Sequence, residues 1–465
     1  MSTQAAVTAA DLPQTSPWPT FWIASIAVLL VSIDTTVLYA AFGALRQGFP
    51  DGSAADLSWV LNAYTVTYAA MLIPAGGLAD VHGRKRMFLL GAAIFLIGSA
   101  ACGAAGSITL LIAARVVQAV GAALLTPASL SLILDAFPQN KRAVAVSLWG
   151  AVGGMAAAIG PSLGSFIVDS MGWQWAFYIN LPIGAVSLVL GYARLQESRI
   201  PGKVQHVDLV GMALLVVSVG AAAMALTQFE SPGWSRGTIE AAAVTAAVTL
   251  FVFVAWAARA RHPLVDLNLF RSPTYSAVNL ATLSFAMAFS MMFFAFFSYM
   301  TTIWHYSLPL AGIAVTPGPL LVVPTAIISG RVAARLGHRP GLVIGSVVYA
   351  ASGLWLALVP GTSPAYWTEW FPGLVLSGIG VGMVLPSLSG AATAKLPQNQ
   401  YGVGSAVNQA VRQIGSVLGV ALTVMLIGHE GLARADFTHL YSLHAALALI
   451  TGMFCLLVNT RPSAR

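Results

Sequence analysis

The sequence has few charged residues for its length. Asp, Glu, Lys and Arg make up 8% of the 465 residues, against about 25% in ordinary soluble domains. So small a charged fraction leaves too little polar surface to solvate a globule of this size, which excludes a soluble enzyme or binding module. The hydrophobic fraction of 58% and the mean hydropathy of +0.81 indicate an integral membrane protein.

Cysteine and the common motifs of cofactor chemistry are also scarce. The two cysteines, Cys102 and Cys455, lie in apolar runs of different halves, so we expect neither a disulfide framework nor a metal site. The sequence contains no Gly-x-x-x-x-Gly-Lys-Ser/Thr run, which argues against ATP hydrolysis. Its eight histidines show no paired-ligand spacing. We therefore expect no cofactor, no bound metal and no enzymatic activity.

Fourteen apolar runs are each long enough to cross a bilayer. As a helix, about 20 residues span the roughly 30 Å hydrocarbon core. Residues 1–17 contain no Lys or Arg and so lack the basic start of a cleaved signal peptide, and we expect the first run to remain as a span. The runs lie near 19–43, 55–78, 87–106, 108–131, 143–168, 174–193, 206–228, 238–258, 273–300, 308–332, 340–360, 370–391, 402–428 and 438–459.

The basic residues orient these spans. Seventeen of the 22 Lys and Arg residues fall in the tails and loops on the side of the N-terminus, three fall in the opposite loops and two lie inside spans. The positive-inside rule then predicts that both termini are cytoplasmic, in a multi-pass protein of the plasma (inner) membrane. Because the basic residues are scattered between apolar runs, the net charge of +7 reflects topology and not a nucleic-acid partner.

Internal repetition divides the chain into two similar parts. The pattern of 76–85 recurs at 330–339, and Pro-Gln-Asn occurs at both 138–140 and 397–399. The repeat unit is therefore six helices, and two such units in parallel suit transport by alternating access. The predicted plan is 6 + 2 + 6: a tail of 1–18, a bundle of 19–193, a two-helix insertion with linkers of 194–272, a second bundle of 273–459 and a tail of 460–465.

Asp34 is the one acidic residue deep inside a predicted span. A charge in the bilayer costs at least about 2.5–3.5 kcal/mol, which marks such a residue as functional. Asp34 lies about 22 Å along the first span from the cytoplasm and Arg115 about 10 Å along the fourth from outside, so their depths coincide. We predict that the two side chains face each other, directly or through water. A neighbouring arginine favours the carboxylate whereas burial favours the neutral acid, so the pair is either a proton switch or a static ion pair.

The loop after the second span, residues 76–86, has a tight glycine turn between an acid and a basic run. Asp80 could cap the thirteenth span, and Arg84 or Lys85 could pair with Asp135 at the inner end of the fourth. Such contacts would hold an inner gate closed; the alternative is a turn that only sets topology. We assign to this gate Asp80, Gly83, Arg84, Lys85, Asp135 and Arg142.

Two further spans have unusual composition. The fifth carries Gly160, Pro161 and Gly164, where small residues allow close helix contact and proline gives a kink. The ninth is rich in Phe and Met, which suit apolar ligands, although part of this stripe must face lipid or other helices. Arg412, in the thirteenth span, either lines the cavity or extends to the cytoplasmic surface. The predicted substrate cavity comprises Tyr39, Asn62, Tyr64, Phe289, Met292, Phe293, Phe296, Asn408 and Arg412.

These residues resemble the major facilitator superfamily, and within it the fourteen-helix drug:proton antiporter branch, over about residues 19–459. Asp34 and Thr36 are similar to the Asp-x-Thr motif of that branch. Arg115 and Gln118 are similar to its Arg-x-x-Gln-Gly proton-transfer motif, although alanine follows Gln118 where glycine is usual. The loop after the second span looks like the superfamily's gating motif, with valine in place of one basic residue.

The fifth and sixth spans carry the more specific part of this resemblance. Gly160, Pro161 and Gly164 match the antiporter motif, with Ser165 in place of its final glycine. The stretch 173–177, followed by an asparagine at position 180, is also typical of the branch.

The resemblance implies an all-α major facilitator fold and a proton-coupled multidrug efflux antiporter. The expected substrates are lipophilic cationic or neutral drug-like compounds, exchanged for protons by a monomer in the lipid bilayer. Because the second half has no deep acid, we expect poor transport of rigid dications. The alternatives are a dedicated exporter of one endogenous metabolite, lipid or antibiotic, a proton-coupled importer, and a sensor or scaffold that transports nothing.

Overall fold

The computed structural model describes residues 16–138, 141–199, 206–229, 234–396, 400–428 and 431–460. These ranges contain helices and connecting turns but no strand. The helices are α1 Trp18–Gly48, α2 Ala54–His82, α3 Arg84–Gly103, α4 Ile108–Ala136, α5 Arg142–Met171, α6 Trp175–Tyr178, α7 Asn180–Arg194, α8 Leu209–Thr227, α9 Arg236–Ala257, α10 Pro273–Thr302, α11 Leu308–Val315, α12 Pro317–Leu336, α13 Arg339–Leu358, α14 Phe371–Thr393, α15 Tyr401–Ile427 and α16 Arg434–Cys455.

Thirteen helical stretches in the described ranges are long and apolar enough to cross a membrane. α6 with α7 and α11 with α12 each form one such stretch. α2, at 29 residues, is as long as α4 but is not among the thirteen. The chain is therefore a multi-pass, all-helical membrane protein.

Proline explains why two predicted spans are interrupted. α7 carries Pro182 in its first turn, and α12 begins at Pro317. Proline has no backbone N–H, so neither residue can donate the hydrogen bond that would continue the preceding helix. Of the repeated Pro-Gln-Asn segments 138–140 and 397–399, residues 139–140 and 397–399 lie outside the described residues.

The first seven helices pack mainly on one another. α1 contacts α4, α5 and α7, and α4 contacts α2 and α3. α3 and α4 are held close by glycine: a Cβ atom at Gly91 would lie 2.7 Å from the backbone nitrogen of Leu125, and one at Gly98 would lie 2.6 Å from that of Gln118. This close approach brings polar residues of α3 and α4 next to those of α1.

Helices α10 to α16 form a second packed set, in which α10 contacts α14, α15 and α16, and α13 contacts α14 and α16. The two sets meet where α2 contacts α15, α5 contacts α11 and α12, and α1 contacts α10. α8 and α9 pair with each other, and α8 also packs on α2 and α15. Most of α9 is exposed, which fits a helix that faces lipid.

Candidate functional site

The structure places Asp34 of α1 in direct contact with Arg115 of α4. The Arg115 Nη1 donates a hydrogen bond to the Asp34 Oδ2 at 2.7 Å, and each side chain is 1% exposed. The two residues therefore lie at the same depth, as the sequence predicted, and both side chains point into the bundle of the first seven helices. The assignment of this pair to proton coupling stays a prediction.

Two amide side chains complete the surroundings of the Asp34 carboxylate. The Gln118 Nε2 donates to its Oδ1 at 2.8 Å, and the Asn180 Nδ2 donates to the same oxygen at 3.0 Å. Both amides also donate to the hydroxyl of Ser99, at 3.2 and 3.1 Å. All these side chains are buried. Asp34 is therefore hydrogen-bonded at both oxygens, as a buried carboxylate requires.

Arg115 is equally well held. Its Nε donates to the carbonyl of Val60 at 3.0 Å, its Nη1 donates to the Gln118 Oε1 at 2.6 Å, and the guanidinium lies 4.0 Å from the centre of the Tyr64 ring. A desolvated cation–π contact of this kind contributes about 2 kcal/mol. The structure thus places Tyr64 against the ion pair. Among the described residues, the Tyr64 hydroxyl and the Asn180 Oδ1 have no hydrogen-bond partner.

Sequence reasoning assigned no role to Ser99 and Asn180, although both touch the ion-pair network. The signal that could have found them is a polar side chain inside an apolar run, because such a group needs a partner in the membrane. Asn180 opens α7, where the chain resumes after the short helix α6. That local break turns its amide toward Asp34.

A second charged cluster lies at the turn between α2 and α3. The Arg84 Nη2 lies 3.0 Å from the Asp80 Oδ1, and its Nη1 contacts the Asp135 Oδ2 at the end of α4. Gly83 between them has φ = 109°, a left-handed conformation that glycine adopts without strain. The cluster formed by Asp80, Arg84 and Asp135 is called the gate cluster below. Its function in gating stays a prediction.

Other parts of the expected gate are arranged differently. Lys85 donates from its Nζ to the carbonyl of Tyr192 at 2.8 Å, so it holds α7 instead of Asp135. The side chain of Arg142 lies outside the part of the chain that the structure describes, and the burial of Gly402 at the start of α15 is not described either. The contact expected between Asp80 and the start of α15 therefore stays a prediction.

Glu197 and Ser198, just after α7, are the residues that sequence reasoning missed at this cluster. The Glu197 carboxylate accepts hydrogen bonds from the backbone nitrogens of Lys85 at 3.0 Å and Arg86 at 3.1 Å. The Ser198 hydroxyl donates to Asp135 at 2.6 Å. An anion at the first backbone N–H groups of a helix is favourable. The segment that leads toward α8 is thus fastened to the start of α3.

Gly160 and Gly164 of α5 face α1 close to Asp34. A Cβ atom at Gly160 would collide with the Thr36 hydroxyl, and one at Gly164 would lie 2.9 Å from the Cα of Val37. Pro161 lies inside α5, and its carbonyl accepts a hydrogen bond from Ser165 at 2.6 Å. Gly160 and Gly164 therefore set the distance between α5 and the helix that carries Asp34.

Part of the expected substrate cavity is an aromatic contact between the two sets of helices. The ring of Tyr39 on α1 lies 6.1 Å from that of Phe293 on α10, and Phe293 lies 5.1 Å from Phe289. Tyr39 also lines a cavity of about 910 Å³ formed by α1, α5, α10 and α15. This cavity lies at the end of the bundle opposite the gate cluster. It is lined by Phe42, Trp173 and other aromatic residues.

Three expected cavity residues lie within the packing of the second set of helices, and their place in the substrate cavity stays a prediction. Met292 is 2% exposed and accepts a hydrogen bond from Ser377 at 2.9 Å. Phe296 is 1% exposed and packs on Trp370 of the π-helical turn Tyr366–Trp370, with ring centres 5.4 Å apart. The contacts of both join α10 to the α14 region. The pattern of Phe and Met was ambiguous because it continues around the whole of α10.

Asn408 is the third of these buried residues. Its Nδ2 donates to the Asn279 Oδ1 at 3.1 Å and to the Thr282 hydroxyl at 2.9 Å, which fastens α15 to α10. Asn62 on α2 is fully buried, and its amide has no partner among the described residues. Arg412 is half-buried on α15.

Comparison with known proteins agrees with this arrangement of helices. The family model of the Major Facilitator Superfamily matches residues 24–420 and 278–465. The chain belongs to the major facilitator superfamily. The solved structure of the xylose transporter XylE from E. coli, in an inward open conformation, superposes with a TM-score of 0.67 at 12% identity and covers 97% of each chain. That likeness shows the fold.

Two curated relatives are much closer in sequence. The tetracenomycin C resistance and export protein of Streptomyces glaucescens is 32% identical over 88% of this chain and 76% of its own length. The multidrug resistance protein Stp of Mycobacterium tuberculosis is 31% identical over 85% of this chain and 73% of its own length. Both names describe drug resistance, and one describes export.

Proposed function

We propose that this superfamily member is a proton-coupled exporter of lipophilic drug-like compounds. The observation that carries the proposal is the buried ion pair of Asp34 and Arg115, both 1% exposed in a protein with very few charges. Intramembrane charges mark proton or substrate pathways because burying them is costly. The names of the two relatives support drug-like compounds as cargo.

In this proposal, protonation of Asp34 changes the geometry of the hydrogen-bond network around it. A protonated carboxyl group must donate its O–H to an acceptor, and the buried Asn180 Oδ1 next to it has no partner. Rotation of the Asn180 amide would present that oxygen. Protonation also removes the negative charge 2.7 Å from Arg115, which leaves the guanidinium uncompensated. The ion-paired and protonated states therefore favour different arrangements of α1 and α4.

The proposed topology counts α2 with the thirteen apolar stretches, to give fourteen spans in a 6 + 2 + 6 plan. The proposed domains are a bundle of 19–193, an insertion of 194–272 that contains α8 and α9, and a bundle of 273–459. The exposure of α9 and the packing of α8 on α2 and α15 support a peripheral insertion. Both short tails are cytoplasmic in this proposal, and the protein is a monomer in the inner membrane.

The test is flux in proteoliposomes under an imposed pH gradient. Ethidium and uncharged chloramphenicol are followed for the natural chain, for Asp34→Asn and for Asp51→Asn, which removes an exposed carboxylate as a matched control. We expect gradient-driven flux in the natural chain and the control, and loss of the driven component in Asp34→Asn. Full driven flux in Asp34→Asn would place the proton site elsewhere. Loss in the control as well would point to damage unrelated to Asp34.

A dedicated exporter is the second candidate. It is favoured by the relative that is named for a single compound, tetracenomycin C. A panel of chemically unrelated drugs separates the two proposals. Transport of several panel members supports a multidrug exporter, whereas proton-driven transport of one member and no other supports a dedicated one.

A further inference from the structure

Arg412 is a second arginine inside the membrane-spanning part of the chain. It lies eleven residues after the start of α15, which is about 16 Å along the helix axis at 1.5 Å per residue. α15 contacts both α2 and α10, so the residue sits where the two sets of helices meet. Its side chain is half-buried.

The surroundings of Arg412 differ from those of Arg115. Within the part of the chain that the structure describes, no acidic side chain pairs with Arg412 and no hydrogen bond from its guanidinium is formed. The group close enough to interact with it electrostatically is the Tyr68 hydroxyl, which already donates to Thr126 at 3.2 Å. A cation kept in the membrane interior without a counter-charge is costly, and it is available for a ligand.

The charges deep in the described spans do not balance. Asp34 carries one negative charge, and its two oxygens already accept bonds from Arg115, Gln118 and Asn180. It therefore has no free capacity to neutralise Arg412. With Asp34 ionised, the interior retains one positive charge, and protonation of Asp34 raises this to two.

The helix surface around Arg412 is also polar. Gln409 lies three residues before Arg412 and Ser416 lies four residues after it, so both share its face of α15, whereas Gln413 is the next residue and points about 100° around the helix. All are half-buried, and no hydrogen bond of either glutamine side chain is formed among the described residues. On the face of Arg412, the Gln409 amide and the Arg412 guanidinium present an array of N–H donors, which is the chemistry that binds a carboxylate, sulfonate or phenolate.

We propose that Arg412, with Gln409, forms a subsite for the acidic group of an amphiphilic anionic substrate. This inference rests on the proposed export function and names a substrate class for it. The sequence alone led us to expect cationic or neutral compounds. The unbalanced positive charge adds acidic compounds to that range, and it disfavours cations most strongly when Asp34 is protonated.

The experiment compares an anion with a neutral compound in the same vesicles. Transport of 8-anilinonaphthalene-1-sulfonate and of chloramphenicol is measured in phosphatidylcholine proteoliposomes with the natural chain, Arg412→Gln and Arg412→Lys. Arg236→Gln, which removes a 93% exposed charge, is the control. We expect the anion-to-neutral ratio of kcat/KM to fall about tenfold or more in Arg412→Gln, since one charge-assisted hydrogen bond is lost. Arg412→Lys should recover part of that ratio.

Three results would overturn the proposal. One is an equal loss for both compounds in Arg412→Gln, because that indicates a structural role. Another is an unchanged ratio. The third is activity that requires phosphatidylglycerol in the natural chain but not in Arg412→Gln, because the occupant would then be a lipid headgroup.

A binding measurement separates this proposal from the export function. Equilibrium dialysis of the sulfonate against the full chain in detergent needs no transport. If the natural chain moves no compound but binds the anion more tightly than Arg412→Gln does, the export function fails and the subsite stands. If both proteins bind the anion equally, the subsite fails whatever the flux.

Discussion

Removing Arg115 alone should destabilise the protein more than removing it together with the charge of Asp34. In Arg115→Met, the carboxylate keeps the amide donors of Gln118 and Asn180 but loses its only cationic partner among the described residues. At 1% exposure, water cannot replace that partner. Breaking a buried pair from one side costs about 3–5 kcal/mol, because the remaining charge is uncompensated.

The same reasoning applies when Asp34 is changed instead of Arg115, and it predicts a favourable coupling free energy between the two residues. Asp34→Asn leaves Arg115 uncompensated at the same depth and should also cost about 3–5 kcal/mol. The double variant has no buried charge at this site, so it should be more stable than either single variant. The favourable coupling free energy between Asp34 and Arg115 is then at least as large as the cost of one single variant. The costs of the two single variants are therefore far from additive.

The assay is thermal unfolding of the four full-length proteins in detergent. We expect the double variant to unfold at a higher temperature than either single variant. Additive losses in the double variant would refute the argument that these two charges depend on each other.

Three further variants test other contacts. Gly160→Ala places a Cβ atom against the Thr36 hydroxyl, so it should force α5 away from α1 and abolish driven flux. Normal flux in this variant would show that transport does not need the close approach of α5 to α1. Glu197→Gln removes the anion at the start of α3 and should destabilise that helix end by about 0.3–1 kcal/mol. Amide hydrogen exchange at residues 83–86 should then become faster, and unchanged exchange would contradict the capping role. Asn408→Leu leaves two hydrogen-bonding groups of α10 without their partner on α15, so it should lower the free energy of unfolding by about 1–3 kcal/mol. The KM for drug transport should stay unchanged, and a raised KM would indicate that Asn408 lines the substrate cavity.

The depth of a residue in the membrane could be predicted from the sequence alone. Helix rise is constant, so counting residues gave Asp34 and Arg115 the same depth, and the structure has them at 2.7 Å. The same count places Ser99 along α3 but does not name its partner, because helix rise does not say which neighbouring helix a side chain meets. The approach of α3 to α4 at their glycines decides that Ser99 reaches the pair.

Which face of a helix meets which neighbour could not be predicted. α10 carries Phe and Met on all sides, so its pattern has no preferred direction. Only the packed structure distinguishes Phe293, which meets Tyr39 across the two sets, from Phe296, which is sealed against Trp370. The fastening of Lys85 and Arg86 by Glu197 was equally hidden, since the contact spans more than a hundred residues.

The sequence by itself determined that the chain is a helical membrane protein, and it determined how far along its helix each intramembrane charge lies. These follow from composition and from the fixed rise of a helix, which are properties of the chain alone. Tertiary structure decided that Asp34 is saturated by three donors, whereas no acid in the described part of the chain forms an ion pair with Arg412. Pairing depends on the rotation of each helix against its neighbours, and that rotation is set by the close contacts of small residues distant in the chain.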